Sequence, residues 1–194
     1  MSGGRRLQAA DLRPFIGPGI RTILKNLEND LSEAELDSME RCFRASYDTH
    51  GVRNTNLFEG VRTTLQRLRA EGAELFLVTN KPQLATMNLL EQQGIGELFR
   101  DVLSRNSRAP SFSSKAEMLL SLVERYAVEK DKSVMVGDTA EDYEAAHAAG
   151  LRFVFAAYGY GQLGEEVQCS RISRFSEVAN ACGLPIGPET ARGK

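Results

Sequence analysis

Four short apolar runs constrain this chain more than anything else in it. They are AELFLVT (73–79), DVLS (101–104), SVMVG (133–137) and RFVFAA (152–157). Between them lie stretches with helical spacing of apolar residues: KPQLATMNLLEQQG, closing on Gly94; SKAEMLLSLVERYAV; and AEDYEAAHAAG, closing on Gly150. Another, VRTTLQRLRAEG, precedes the first run and ends near Gly72. Continuous apolar strands are buried on both faces. Strands that alternate with helices form a parallel sheet with helices packed on each side. The pattern predicts a three-layer α/β core of Rossmann-like type.

The first part of the chain reads differently. Leu12, Phe15 and Ile16 lead into a break at Gly17, Pro18 and Gly19, and Ile20, Ile23, Leu24 and Leu27 then recur at helical spacing. Ser32 with Glu35 forms a capping-box pattern, followed by Leu36, Met39, Cys42, Phe43 and Tyr47 on one helical period. No strand is expected here. The organisation predicted is a small helical module over 1–53, the α/β core over 54–184 and a tail over 185–194. The tail has Pro and Gly without periodicity and is expected to fray. No internal repeat or low-complexity segment interrupts this plan.

Composition narrows the function classes. A net charge of −2 argues against a general nucleic-acid binder or a polybasic membrane anchor. No apolar run approaches the ~18 residues of a membrane span, and MSGGRRLQAADLRPF has no apolar stretch of signal-peptide type. Cys42, Cys169 and Cys182 are odd in number and widely spaced, which fits filler in a reducing, cytoplasmic setting. His50 and His147 alone do not make a zinc site. Oligomeric state is not legible.

Sheets of this kind bind ligands beyond the carboxyl ends of their strands. At the first such end, Thr79 and Asn80 precede Lys81-Pro82 and a new helix, a natural pocket for an oxyanion, although both residues could simply cap the helix. At the third, Gly137 permits close approach, Asp138 leaves the strand, and Asp142 follows four residues on, so both carboxylates can face one site. Mg²⁺ takes such oxygens and keeps several waters. The competing reading is that Asp138 or Thr139 caps the helix and Asp142 favours its positive end. Lys115, at the start of another helix, is unfavourable there unless something anionic is near.

Taken in order, LFLVTNKP, Lys115 and VGDTAEDYEAAHAAG resemble the second, third and fourth motifs of the haloacid dehalogenase superfamily, most closely its phosphoglycolate phosphatase-like branch. LFEGVRTTLQRLRAEG and YGYG (158–161) are similar to it as well, so the resemblance covers nearly the whole chain. It implies a HAD-type core with a helical cap over the site. It also implies that Thr79 and Asn80 bind phosphate, that Lys115 neutralises phosphate and nucleophile, that Asp138 ligates Mg²⁺, and that Asp142 supports the metal or Lys115. The implied reaction is hydrolysis of a small phosphomonoester through an aspartyl-phosphate, the substrate being a small phosphorylated metabolite, with 2-phosphoglycolate foremost. Sugar-phosphate mutase, pyrophosphatase and dehalogenase chemistry share the core, the last fitting this residue set least.

The family's first motif, Asp-x-Asp-Gly-Thr, supplies nucleophile and general acid–base at the end of the central strand. The 194 residues contain no Asp-x-Asp, and Asp11, Asp30, Asp37 and Asp48 follow no apolar strand. The resemblance places that strand between those ending at Thr79 and Gly137, where its loss leaves a gap of roughly twice the 4.8 Å strand spacing. An incomplete chain, as from a mis-called start, is expected over a natural protein lacking the strand. The chain as it stands is expected to be inactive. The alternative is a non-catalytic pseudophosphatase that binds a phosphorylated ligand or a protein partner.

Overall fold

The computed structural model describes residues 19–28, 30–47, 51 and 55–183. The stretch from Leu12 to Pro18, Asp11, His50 and the tail over 185–194 lie outside them. Two helices come first, α1 (Ile20–Leu27) and α2 (Glu33–Ser46). The capping box forms as its sequence predicts. Ser32 Oγ accepts from Glu35 N at 3.3 Å, and Glu35 Oε2 accepts from Ser32 N at 2.9 Å. Leu24 and Leu36 are buried, and Arg21 of α1 reaches Glu33, Asp37 and Glu40 of α2. Those ion pairs are largely exposed and contribute little beyond fixing the hairpin.

The core then runs α3 (Val61–Ala70), β1 (Phe76–Thr79), α4 (Gln83–Gln92), β2 (Asp101–Ser104), α5 (Lys115–Arg125), β3 (Val134–Gly137), α6 (Ala140–Ala149), β4 (Arg152–Ala156), β5 (Ser170–Ile172) and α7 (Val178–Ala181). Every strand pairing is parallel. Gly72, Gly94 and Gly150 end helices at φ of +89°, +54° and +70°, a conformation that costs a glycine little.

The sheet is in two pieces. β1 pairs with β2, and β4 lies between β3 and β5, with no pairing between β1 and β3 among the described residues. The division falls where the family resemblance places the strand of the first motif. The two pieces nevertheless share both helical layers. On one face, α3 sets Leu65 against Leu75 and Leu77, and Leu68 against Val134 and Val136. On the other, Leu119 and Val123 of α5 and Ala145 and Ala149 of α6 form a cluster packed by both Val78 of β1 and Met135 of β3. One core therefore holds two sheet fragments, and among the described residues β1 and β3 each keep one unpaired edge. Consistent with this, β1 and β3 are half-buried throughout, whereas Phe153 to Ala156 of β4 are buried.

β5 and α7 were not legible in the sequence. Two of the three residues of β5 are exposed, and α7 has only four residues. Among the described residues no helix is long and apolar enough to cross a membrane.

Candidate active site

The first turn of α6 is the hub of the site. At Gly137 a side chain is excluded, because a Cβ there would sit 2.4 Å from the Asp142 Cβ. That contact lets α6 start against the end of β3. Thr139 then caps α6: its Oγ1 accepts from Asp142 N at 3.2 Å, and Asp142 Oδ2 accepts from Thr139 N at 3.1 Å. Capping and a site role were posed as competing readings of this stretch, and the capping half is present.

Asp142 is 5 % exposed. Oδ2 also takes the Asp138 N–H at 3.1 Å and the Thr139 hydroxyl at 2.7 Å, and Oδ1 takes Lys115 Nζ at 2.5 Å. Three donors thus gather on Oδ2, while Oδ1 takes Lys115 and keeps a further lone-pair position. Asp142 therefore holds Lys115. Lys115 itself is the first residue of α5, behind a Ser114 cap that accepts from Glu117 N at 3.1 Å. The anion that its position at a positive helix end demands is Asp142.

Asp138 is held from the other side. Tyr160 N and Gly161 N donate to its Oδ2 at 2.9 and 3.0 Å. The loop can close this tightly only because it is glycine-rich: a Cβ at Gly159 would lie 2.3 Å from the Asp138 Cβ, and one at Gly161 would lie 2.1 Å from its carbonyl oxygen. YGYG entered the sequence reading only as a likeness, with no role; here it is the clasp on Asp138. Oδ1 of Asp138 takes no hydrogen bond from a described residue. Tyr158 stands at the start of the same loop, half-buried, its hydroxyl pushed up to about 12 by burial and by the charge of Asp138.

Thr79 and Asn80 reach the same place from β1. Thr79 Oγ1 accepts from Lys81 N at 3.1 Å, which leaves its hydroxyl hydrogen free to donate. Asn80 Nδ2 donates to Glu141 Oε2 at 2.8 Å, joining the end of β1 to α6. Its Oδ1 is buried without a partner, although buried polar atoms are normally paired. Glu141 was missed by sequence reasoning, since an acidic residue in a helix's first turn is ordinary. Asn80, Lys115, Asp138 and Asp142 are thus linked through the start of α6, and Thr79 ends β1 next to Asn80.

Among the described residues no group of three or more His, Cys, Asp or Glu side chains is placed to hold a metal. The donors present fit Mg²⁺ in its sparing mode, with one carboxylate oxygen from Asp138 and the rest of the shell from water and a phosphate. A groove of about 370 Å³ lined by Tyr143, His147, Arg152 and Cys169 lies at the opposite ends of β4 and β5 and contains none of these residues.

Comparison with known proteins identifies the family. The haloacid dehalogenase-like hydrolase family model matches residues 2–156. Phosphoglycolate phosphatase from Nitrosospira multiformis is 32% identical over 177 residues, covering 88% of this chain and 78% of that protein. Phosphoglycolate phosphatase 1 from Pseudomonas aeruginosa is 31% identical over 156 residues, covering 77% of this chain, and the match spans only 56% of that relative's length. A crystal structure described as a predicted phosphoglycolate phosphatase from Haemophilus somnus superposes with a TM-score of 0.73 at 25% identity, covering 90% of this chain and 82% of the other.

Proposed function

This chain belongs to the haloacid dehalogenase-like hydrolases, and we propose that it carries the phosphate- and cation-binding side of a phosphomonoesterase site for a small phosphorylated metabolite of the phosphoglycolate class. The observation that supports this most is the arrangement around α6: a lysine held by a buried carboxylate, beside a second carboxylate with one open oxygen. In this reading the Thr79 hydroxyl and Lys115 Nζ bind the phosphate. The second amide hydrogen of Asn80 is available to it, while the first holds Glu141. Asp138 Oδ1 would hold Mg²⁺, which supplies positive charge against the phosphate oxygens. Asp142 fixes Lys115.

Phosphoryl transfer also needs an in-line nucleophile and an acid. In this family these come from an Asp-x-Asp motif, and the 194 residues contain none. The 194-residue chain should therefore release phosphate from 2-phosphoglycolate with Mg²⁺ at no more than background. Release at ordinary enzymatic rates, on the order of 1 s⁻¹ or more, lost in Asp138→Asn, would refute the inactivity. The second reading, a binding protein without catalysis, is favoured by that same missing motif. Saturable ligand binding without turnover by the folded chain supports it. Turnover gained by supplying a segment with Asp-x-Asp opposes it.

A further inference from the structure

The phosphate-site residues leave one cation unexplained. Lys81 follows Asn80 directly and is half-buried. Its backbone N–H is tied to Thr79 Oγ1, which fixes the start of its side chain beside that hydroxyl. Lys115 has Asp142 as counter-ion. Lys81 has only a neutral partner among the described residues: Nζ donates to the Tyr47 hydroxyl at 2.5 Å and lies 4.5 Å from the centre of the Tyr47 ring. An ammonium taken partly out of water without a carboxylate is costly, and a phenol with its ring face offsets only part of that.

Tyr47 is built to be there. It closes α2 of the helical module, and its ring stacks on Phe43 at 5.4 Å and 13°. The ring also presses on Gly51, where a Cβ would meet it at 2.6 Å. The helical module thus places a hydroxyl on a lysine of the core, next to the phosphate pocket. Two of the three ammonium hydrogens of Lys81 remain for a ligand.

We infer that Lys81, oriented by Tyr47, recognises a second anionic group on the substrate, a carboxylate a few bonds from the phosphate ester. This rests on the phosphate-site reading above and narrows it to phosphorylated hydroxy acids. Lys81 is a specificity-determining residue, and Tyr47 positions it. The pairing also makes the module responsive to the ligand: a carboxylate arriving at Lys81 meets the Tyr47 hydroxyl at the same point.

The test is calorimetric titration of the full chain with Mg²⁺ and three probes: 2-phosphoglycolate, ethyl phosphate, which has similar size without the carboxylate, and inorganic phosphate. Wild type should bind 2-phosphoglycolate about tenfold more tightly than ethyl phosphate, the scale of one charge-assisted hydrogen bond. Lys81→Met should remove that preference, and Lys81→Arg should restore part of it. Tyr47→Phe, which keeps the ring and its stacking, should reduce the preference about threefold, and it serves if Lys81→Met fails to fold. Wild type showing no preference, or Lys81→Met weakening all three probes equally, overturns the inference while the phosphate site stands. Failure of the folded wild type to bind any of the three overturns the phosphate-site reading and this inference with it.

Discussion

Asp142→Asn is the substitution that most severely tests the site geometry. It preserves shape but exchanges one acceptor oxygen for a donor. Three of the four donors on Asp142 converge on Oδ2 and one, Lys115 Nζ, on Oδ1. The amide will keep its oxygen toward the three and turn its NH₂ toward the ammonium, leaving two donors face to face. The side chains of Lys115 and Asp142 are 12% and 7% exposed, so solvent screens the pair weakly. Removing one member of a buried pair costs about 3–5 kcal/mol. Because the Lys115 ammonium can swing toward water, the lower end, about 3 kcal/mol, is expected. Lys115→Met leaves Asp142 with three good donors and should cost less, about 1.5–2 kcal/mol. In the double variant the donor clash is gone, so its cost should fall short of the sum by about 1–2 kcal/mol. Urea unfolding followed by circular dichroism measures all three. With a slope of about 2 kcal/mol/M, a 3 kcal/mol loss moves the midpoint by about 1.5 M. A loss under about 1 kcal/mol in Asp142→Asn, with strict additivity in the double variant, would refute the claim that Asp142 holds Lys115.

Other consequences follow from the same contacts. Gly161→Ala should force the YGYG loop off Asp138, since the added Cβ meets its carbonyl oxygen at 2.1 Å; Mg²⁺ binding, read by calorimetry, should weaken at least tenfold, and unchanged affinity would remove the clasp. Tyr158, raised from 10.0 to about 12 by burial and then by Asp138, ionises in the unfolded chain before it does in the folded one. The contribution of Tyr158 to stability is therefore level below pH 10 and falls as pH rises from about 10 to 12. The phenolate absorbance assigned by difference with Tyr158→Phe should titrate late, and earlier in Asp138→Asn. If β1 and β3 each keep an open edge, amide exchange should be slowest in β4, which is paired on both sides, and faster at β1 and β3. Uniform protection across all three would show the split to be closed in solution.

What could be read in advance depended on how local the signal was. The strands ending at Thr79, Ser104 and Gly137 and the helices closing on Gly94 and Gly150 announced themselves through continuous apolar runs and punctuating glycines. The capping box at Ser32 did so through two residues at fixed spacing. β5 did not, because a three-residue strand with two exposed residues carries no pattern. In the site, the spacing of Asp138 and Asp142 was legible, but the groups that hold each were not: two loop amides at Asp138, and Lys115 with three local donors at Asp142. Glu141 on Asn80 and Tyr47 on Lys81 join residues 61 and 34 positions apart, contacts that no local pattern signals. The gap expected between the strands ending at Thr79 and Gly137 corresponds to the division of the sheet between β1 and β3 among the described residues.

The account turns on whether Asp138, Lys115 and Thr79 form a cation-assisted phosphate site in this chain. Titration of inorganic phosphate into the folded protein, with and without Mg²⁺, measures this directly. Saturable binding that needs Mg²⁺ and disappears in Asp138→Asn is the predicted result. Binding that is indifferent to both Mg²⁺ and Asp138, or no binding by a chain shown to be folded, would contradict it.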